Sequence, residues 1–174
     1  AVCPTGARTI AGQTRTVDEV LELALRDRPF YGERGGVTLS GGEPLDQWPF
    51  ARALAGRLRA EGVHVAIDTA CVAPRDVIRE APDHVDLILA DLKLVTPESH
   101  RHWTGVDNAG ILDAIRWWSA AMPARLWISV PIVPCVQDEA ELDRIAAFCS
   151  TLENAPPVRL IPYHRLGDPK YAAL

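Results

Sequence analysis

The chain has 174 residues, of which 48% are hydrophobic and 24% charged. That is enough for one folded domain burying about 70% of its unfolded surface, and it excludes disorder and collagen-like repeats. The net charge of −5, from 18 cations and 23 acids with no basic block, makes nucleic acid a poor partner. Apolar runs such as 85–90 are far short of a membrane span, and Ala1-Val2-Cys3-Pro4 has neither the basic start nor the apolar core of a secretory signal. Four cysteines, at 3, 71, 135 and 149, form no Cys-x-x-Cys pair, which points to a reducing compartment, the cytoplasm. Only Lys93 and Lys170 are lysines; every other cation is arginine. Such sparing use marks Lys93.

Strand and helix signals alternate along the chain. Thr16-Val17-Asp18-Glu19 is a capping box that opens a helix through Val20, Leu23 and Ala24, ended by Pro29. Val37 to Ser40 reads as a short buried strand. Pro49 to Glu61 repeats apolar residues at Phe50, Leu54 and Leu58 and stops at Gly62. A strand from Val63 to Asp68 precedes a short helix from Pro74 to Glu80, and Val85 to Leu92 is a second buried strand. Thr96-Pro97 caps a short helix and Asn108 opens a longer one through Ile111, Leu112, Ile115 and Trp118. Leu126 to Val133 is a β-branched strand, Asp138 caps a helix through Leu142, Ile145 and Phe148, and a final strand covers 158–161. The alternation predicts a single α/β domain with a parallel sheet, barrel-like or open.

Ligands of such sheets sit at the carboxyl ends of strands. Those ends carry Ser40-Gly41-Gly42-Glu43-Pro44, Asp68-Thr69, Asp91-Leu92-Lys93 and Pro162-Tyr163-His164, so ionisable residues converge on one rim. Gly41-Gly42 lets the backbone approach a charged ligand without a Cβ in the way, and Glu43 adds a carboxylate. Asp91 and Lys93 leave the same face of their strand. On a dry interior face, that charge pair can poise a Schiff-base lysine or grip a zwitterion. Asp68-Thr69 either helps hold a cation or caps the next turn. Gly35-Gly36, His64, His84, His100 and His102 read as structural or surface residues. Cys71, Cys135 and Cys149 read as small hydrophobes or loop thiols, and one ring of Trp117-Trp118 reads as core.

Taken together, the motifs resemble a known family. They run, in order, Cys-Pro-Thr-Gly-Ala at 3–7, Thr-Val-Asp-Glu-Val at 16–20, Asp-Arg-Pro-Phe-Tyr at 27–31 and Gly-Gly-Val-Thr-Leu-Ser-Gly-Gly-Glu-Pro-Leu at 35–45. Then come Ala-Ile-Asp-Thr at 66–69, Ala-Asp-Leu-Lys at 90–93, Thr-Gly-Val-Asp-Asn at 104–108 and Tyr-His-Arg-Leu-Gly with Lys-Tyr at 163–171. Across essentially its whole length the chain resembles the radical S-adenosylmethionine enzymes that activate glycyl radical enzymes, of the pyruvate formate-lyase activating type. The resemblance implies a partial (β/α)₆ barrel. It also implies a [4Fe–4S] cluster that reduces S-adenosylmethionine to a 5′-deoxyadenosyl radical, which takes hydrogen from a partner's glycine.

By the same resemblance, Gly41, Gly42 and Glu43 would hold the amino end of the cofactor's methionine, and Asp91, Leu92, Lys93 and His164 would line the rest of its pocket. Asp68, Thr69 and Asp91 match positions that hold a monovalent cation, and Cys3 matches the last cysteine of a small ferredoxin-like iron–sulfur insert. Residues 1–13 would be the end of that insert and 14–174 the barrel. The partners implied are a glycyl radical enzyme and an electron donor such as flavodoxin or ferredoxin.

Several positions depart from that pattern. The cluster motif Cys-x₃-Cys-x₂-Cys is absent from the sequence, along with the first barrel strand, so the expectation is a fragment inactive on its own. Cys71 and Cys135 stand where relatives usually have glycine, and Ser129 stands where an arginine is common. One alternative is a non-catalytic remnant that binds cofactor or partner. A distant one is an aldolase-like barrel with Lys93 as the Schiff base.

Overall fold

The computed structural model describes residues 13–33 and 35–163. Cys3 and His164, most of the 1–13 segment and the tail from 164 onward lie outside the described residues.

The first helix, α1 (Val17–Arg26), starts where the sequence places it, with Thr16 and Glu19 completing the capping box. Pro29 does not merely end it: a second short helix, α2 (Arg28–Tyr31), carries that proline in its first turn, where a missing N–H costs nothing. Strand β1 (Gly36–Leu39) follows, then a 3₁₀ turn over Pro44–Gln47 that sequence periodicity did not reveal, and α3 (Trp48–Ala60). Next come β2 (His64–Thr69), α4 (Arg75–His84), β3 (Leu87–Asp91), α5 (Pro97–Thr104) and α6 (Ala109–Ala121). The chain closes with β4 (Leu126–Ile132), α7 (Glu139–Ser150) and β5 (Val158–Pro162).

Helix α4 runs four residues beyond the stop expected at Glu80, through an internal proline, Pro82. A helical proline leaves the carbonyl four residues earlier without its donor. Here that carbonyl belongs to Ile78, and the buried Trp118 indole N–H donates to it at 2.8 Å. The Arg125 guanidinium takes the Pro82 carbonyl at 2.8 Å and that of Val85 as well. Tertiary donors therefore repair the helix that Pro82 would otherwise end.

The five strands form one sheet in the order β1-β2-β3-β4-β5, all parallel. Consecutive order has a physical consequence. Parallel crossovers are right-handed, so strands added always in one direction place every crossover helix on the same face. A doubly wound sheet reverses direction and covers both faces; this one follows the barrel pattern. Val65, Ile67, Ile88, Ala90, Ile128 and Val130 point to the helices and are fully buried. At roughly 25 cal/mol per Å² that layer supplies most of the driving force for folding. The alternate residues, including Thr38, Asp68, Asp91, Trp127 and Arg159, face the open side and keep part of their surface.

Both cysteines that replace an expected glycine have left-handed backbones, Cys71 at φ 63° and Cys135 at φ 67°. A side chain there costs about 1–2 kcal/mol relative to the right-handed region. Cys135 is exposed, whereas Cys71 is buried in the core. Cys135→Gly is therefore expected to stabilise the chain by about 0.5–1 kcal/mol after the added freedom of glycine in the unfolded state is deducted. Cys71→Gly gives no such gain, because it also empties a core position. Urea unfolding midpoints of the two variants against the parent check both signs.

Candidate functional site

A cleft of about 150 Å³ opens at the carboxyl ends of β1, β2 and β3, lined by Ser40, Gly41, Gly42, Asp68, Thr69, Ala70, Asp91 and Lys93. Larger hollows lie elsewhere. One of about 290 Å³ lies between α4 and α6, with Ile78 and Trp117 in its wall. Another of about 350 Å³ lies beside α1, β1 and α3 and is largely apolar. Neither gathers ionisable groups at strand ends, so the smaller cleft is where chemistry can be placed.

Gly41 has φ 136°, a conformation that favours glycine, and a Cβ built on Gly41 or Gly42 would meet no atom within 4 Å. The space above both residues is thus open to a ligand, and only backbone stands beside it. Across the cleft, the Lys93 Nζ donates to Asp91 Oδ2 at 3.0 Å. The spacing that put both side chains on one face is realised, as an ion pair at the rim rather than on a dry interior face. The side chains of Lys93 and Asp91 keep 36% and 28% of their surface, because no element among the described residues covers the open face. Asp68 faces the same side. Burial, and then the Asp91 carboxylate, push its carboxyl above the usual range, while Arg159 and Lys93 pull it back.

Several candidates also brace the frame of the cleft. The resemblance places Glu43 at the amino end of the ligand; in this structure its Oε1 accepts from the Leu45 N–H at 3.0 Å and the Thr69 hydroxyl at 2.7 Å, and its Oε2 accepts from the Ala70 N–H at 2.8 Å. It is a strut from the end of β1 to the end of β2. The Thr69 hydroxyl, donated to Glu43, also accepts from the Cys71 N–H at 2.9 Å. Leu92 is fully buried, so only its backbone could meet a ligand. His164 and Cys3 lie outside the described residues.

Two contributors were not singled out from the sequence. Glu141 is 2% exposed, and its carboxylate takes the N–H groups of Val95 and Thr96, the Thr96 hydroxyl and the Arg144 guanidinium. It clamps the segment that follows Lys93. Arg159, on β5, reaches over β4 and donates from Nη2 to the buried Ser129 Oγ at 2.9 Å. A guanidinium therefore stands over the position where the resemblance placed an arginine, but it comes from the neighbouring strand.

The residues at hand suit an S-adenosylmethionine-like zwitterion better than an iron–sulfur cluster. Backbone beside two open glycine positions, with both charge signs within one cleft, matches an amino acid head group. Among the described residues no three His, Cys, Asp or Glu side chains gather to hold a metal. The Cys71 thiol is fully buried; burial, with Glu43 and Asp91 adding to it, pushes it well above the ordinary thiol range, so it is not poised as a thiolate ligand.

Known proteins resemble this chain in sequence and in fold. The model of the Radical SAM superfamily matches residues 2–149. The chain is 37% identical over 174 residues to the isethionate sulfite-lyase activating enzyme of Desulfovibrio desulfuricans, covering 98% of this chain and 55% of that one. It is 38% identical over 167 residues to the pyruvate formate-lyase-activating enzyme of Staphylococcus epidermidis, covering 91% and 66%. The crystal structure of a domain of pyruvate-formate lyase-activating enzyme from Bacteroides vulgatus superimposes with a TM-score of 0.67 at 33% identity, over 74% of this chain and 81% of that one. The chain belongs to the radical SAM superfamily, in the branch of glycyl-radical-enzyme activating enzymes. It spans about 55% of the length of the isethionate sulfite-lyase activating enzyme.

Glu43→Ala is expected to destabilise the chain by about 2–4 kcal/mol, because it strands two N–H groups and a hydroxyl at the rim. Glu43→Gln should recover part of the loss; equilibrium unfolding of both variants checks this. Glu141 adds a pH dependence. Burial alone would raise its carboxyl, but the Thr96 hydroxyl, the N–H groups of Thr96 and Val95, and Arg144 outweigh burial and hold it below the ordinary glutamate value. Its contribution is thus present above the unfolded-state pKa and lost as pH falls through the folded one. Thermal midpoints should drop below about pH 4.5, and less steeply in Glu141→Gln.

Proposed function

We propose that this chain forms the S-adenosylmethionine-binding part of an activating enzyme that installs a radical on a glycine of a partner glycyl radical enzyme. One observation carries the reading: Gly41-Gly42 backbone, Asp68, Asp91 and Lys93 converge in one cleft at the carboxyl ends of three adjacent parallel strands. When bound, S-adenosylmethionine together with a [4Fe–4S] cluster supplies a carbon-centred radical strong enough to take a hydrogen atom from glycine.

This chain's residues bind and orient. Gly41 and Gly42 offer backbone groups to the ammonium end of the methionyl group without a Cβ to block it. Lys93, steadied by Asp91, offers its ammonium to the carboxylate. Glu43 keeps the glycine loop and the end of β2 at fixed spacing, and the Glu141 clamp does the same for the segment after Lys93. The resemblance adds His164, which lies outside the described residues, to the residues that would line this pocket. The Schiff-base alternative is less well served, because Lys93 is held by the Asp91 carboxylate.

Relatives are named for activating isethionate sulfite-lyase, indoleacetate decarboxylase and pyruvate formate-lyase. A partner of this class, an electron donor such as flavodoxin or ferredoxin, and a cytoplasmic setting complete the proposal. Among the described residues no helix is long and apolar enough to cross a membrane.

Equilibrium dialysis with S-adenosylmethionine tests the reading at its first link. Lys93→Ala is expected to weaken binding about tenfold, equivalent to about 1.4 kcal/mol, with circular dichroism unchanged. Equal affinity in the variant would remove Lys93 from the pocket, and no binding by the parent would overturn the assignment.

A further inference from the structure

The hollow of about 290 Å³ between α4 and α6 gathers side chains that the cleft does not use. Arg75 and Arg79, four residues apart on α4, stand in its wall one turn from each other. Trp117 of α6 supplies an indole that keeps 37% of its surface, and Ala73 and Ile78 add apolar ground. The two arginines differ from their fellows. Every other arginine among the described residues is engaged within the chain, most by carboxylates, Arg125 by carbonyls and Arg159 by Ser129. Arg75 and Arg79 have no ion pair or hydrogen bond from their guanidinium groups among the described residues, and both line this one hollow. The acid in its wall, Asp113, is held by Arg116 at 3.0 Å. In a chain of net charge −5, two neighbouring guanidiniums without a counter-charge point to an acidic occupant.

The setting favours a protein segment over a small molecule. Small-molecule pockets bury most of their ligand, whereas Arg75, Arg79 and Trp117 are all exposed. Tryptophan and arginine are the side chains that anchor protein interfaces. Spacing narrows the choice further. The arginine side chains leave α4 about 5–6 Å apart. In an extended segment, residues i and i+2 share a face and lie about 6.6 Å apart, so two acids at that spacing match the two guanidiniums. An apolar side chain next on the same face can then lie on Trp117. The hollow also adjoins the cleft: Ala73 lines one and Ala70 the other, at most about 11 Å apart along a single loop. Val72, between them, keeps 44% of its surface.

We propose that the hollow between α4 and α6 is a docking site for an extended acidic segment of the protein partner, read as acid-x-acid-x-apolar. Arg75 and Arg79 take the two carboxylates and Trp117 takes the apolar side chain. The docked segment leaves its continuation beside the mouth of the cleft. That this partner is the protein whose glycine is attacked rests on the proposed function; the chemistry of the hollow does not.

Fluorescence anisotropy of a labelled peptide carrying Glu-Ser-Glu-Ser-Leu tests the site, with Gln-Ser-Gln-Ser-Leu as its uncharged counterpart. The parent chain is expected to bind the acidic peptide saturably, at least tenfold tighter than the counterpart, and more weakly as sodium chloride is raised. Arg75→Glu and Arg79→Glu should each lose tenfold or more, and Trp117→Ala about fivefold, with circular dichroism unchanged. Arg26→Glu, the same charge change on α1, should stay within twofold of the parent. No binding by the parent, equal affinity for both peptides, or unchanged affinity in both arginine variants would overturn the proposal. Displacement by pyrophosphate at the peptide's own concentration would assign the hollow to a small anion and overturn it as well. The titration needs no S-adenosylmethionine. A chain that binds the peptide but not the cofactor keeps this docking site and loses the proposed function.

Discussion

Everything at the rim depends on the one-directional order of the five parallel strands. Right-handed crossovers then place all the connecting helices on one face, and the apolar residues of each strand that point that way form the core. The other face is left for residues that need not be apolar. Asp68, Asp91 and Arg159 are tolerated because they alternate with Ile67, Ala90 and Leu160 rather than replace them. The cost of placing charge in a sheet is low here because the open face is only half-buried, so each carboxylate keeps some solvation.

A sheet alone does not shape a cleft; its loops must be held in relation to each other. Two carboxylates do this. Glu43 ties the β1 loop to the end of β2 with two accepted hydrogen bonds and takes a third within its own loop, and Glu141 ties the segment after β3 to the start of α7 with three and takes a fourth from Arg144 within α7. Both use acceptor-only side chains to collect donors that loops leave unpaired. Through these bonds Glu43 holds the loop that carries Gly41 and Gly42.

How much of this could be read from the sequence follows from the range of the forces involved. Strands and helices were legible because their signals are local: apolar runs, the Thr16–Glu19 capping box, the Asp138 cap. Boundaries moved where a distant group intervened, as when Trp118 and Arg125 carried α4 through Pro82. Asp91 and Lys93 were legible as a pair because a spacing of two fixes their common face. The role of Glu43 was not, since its partners Thr69 and Ala70 lie on another strand. Arg159 was invisible for the same reason, because strand register, not sequence distance, brings it to Ser129.

The departures from the family pattern divide by what replaces the missing group. At 71 and 135 nothing does. The backbone keeps the left-handed conformation that suits glycine, and a cysteine side chain bears the strain. At 129 the missing group is a charge, and charge is not tied to one backbone position. A guanidinium on the next strand can arrive at the same point in space if the intervening side chain is small. Ser129 and Arg159 are therefore best understood as a pair: an arginine at 129 would have closed the path that the serine opens, and Arg159 without that path would point into solvent from the sheet's edge. Backbone conformation must be satisfied in place, whereas a guanidinium can be supplied from a neighbouring strand.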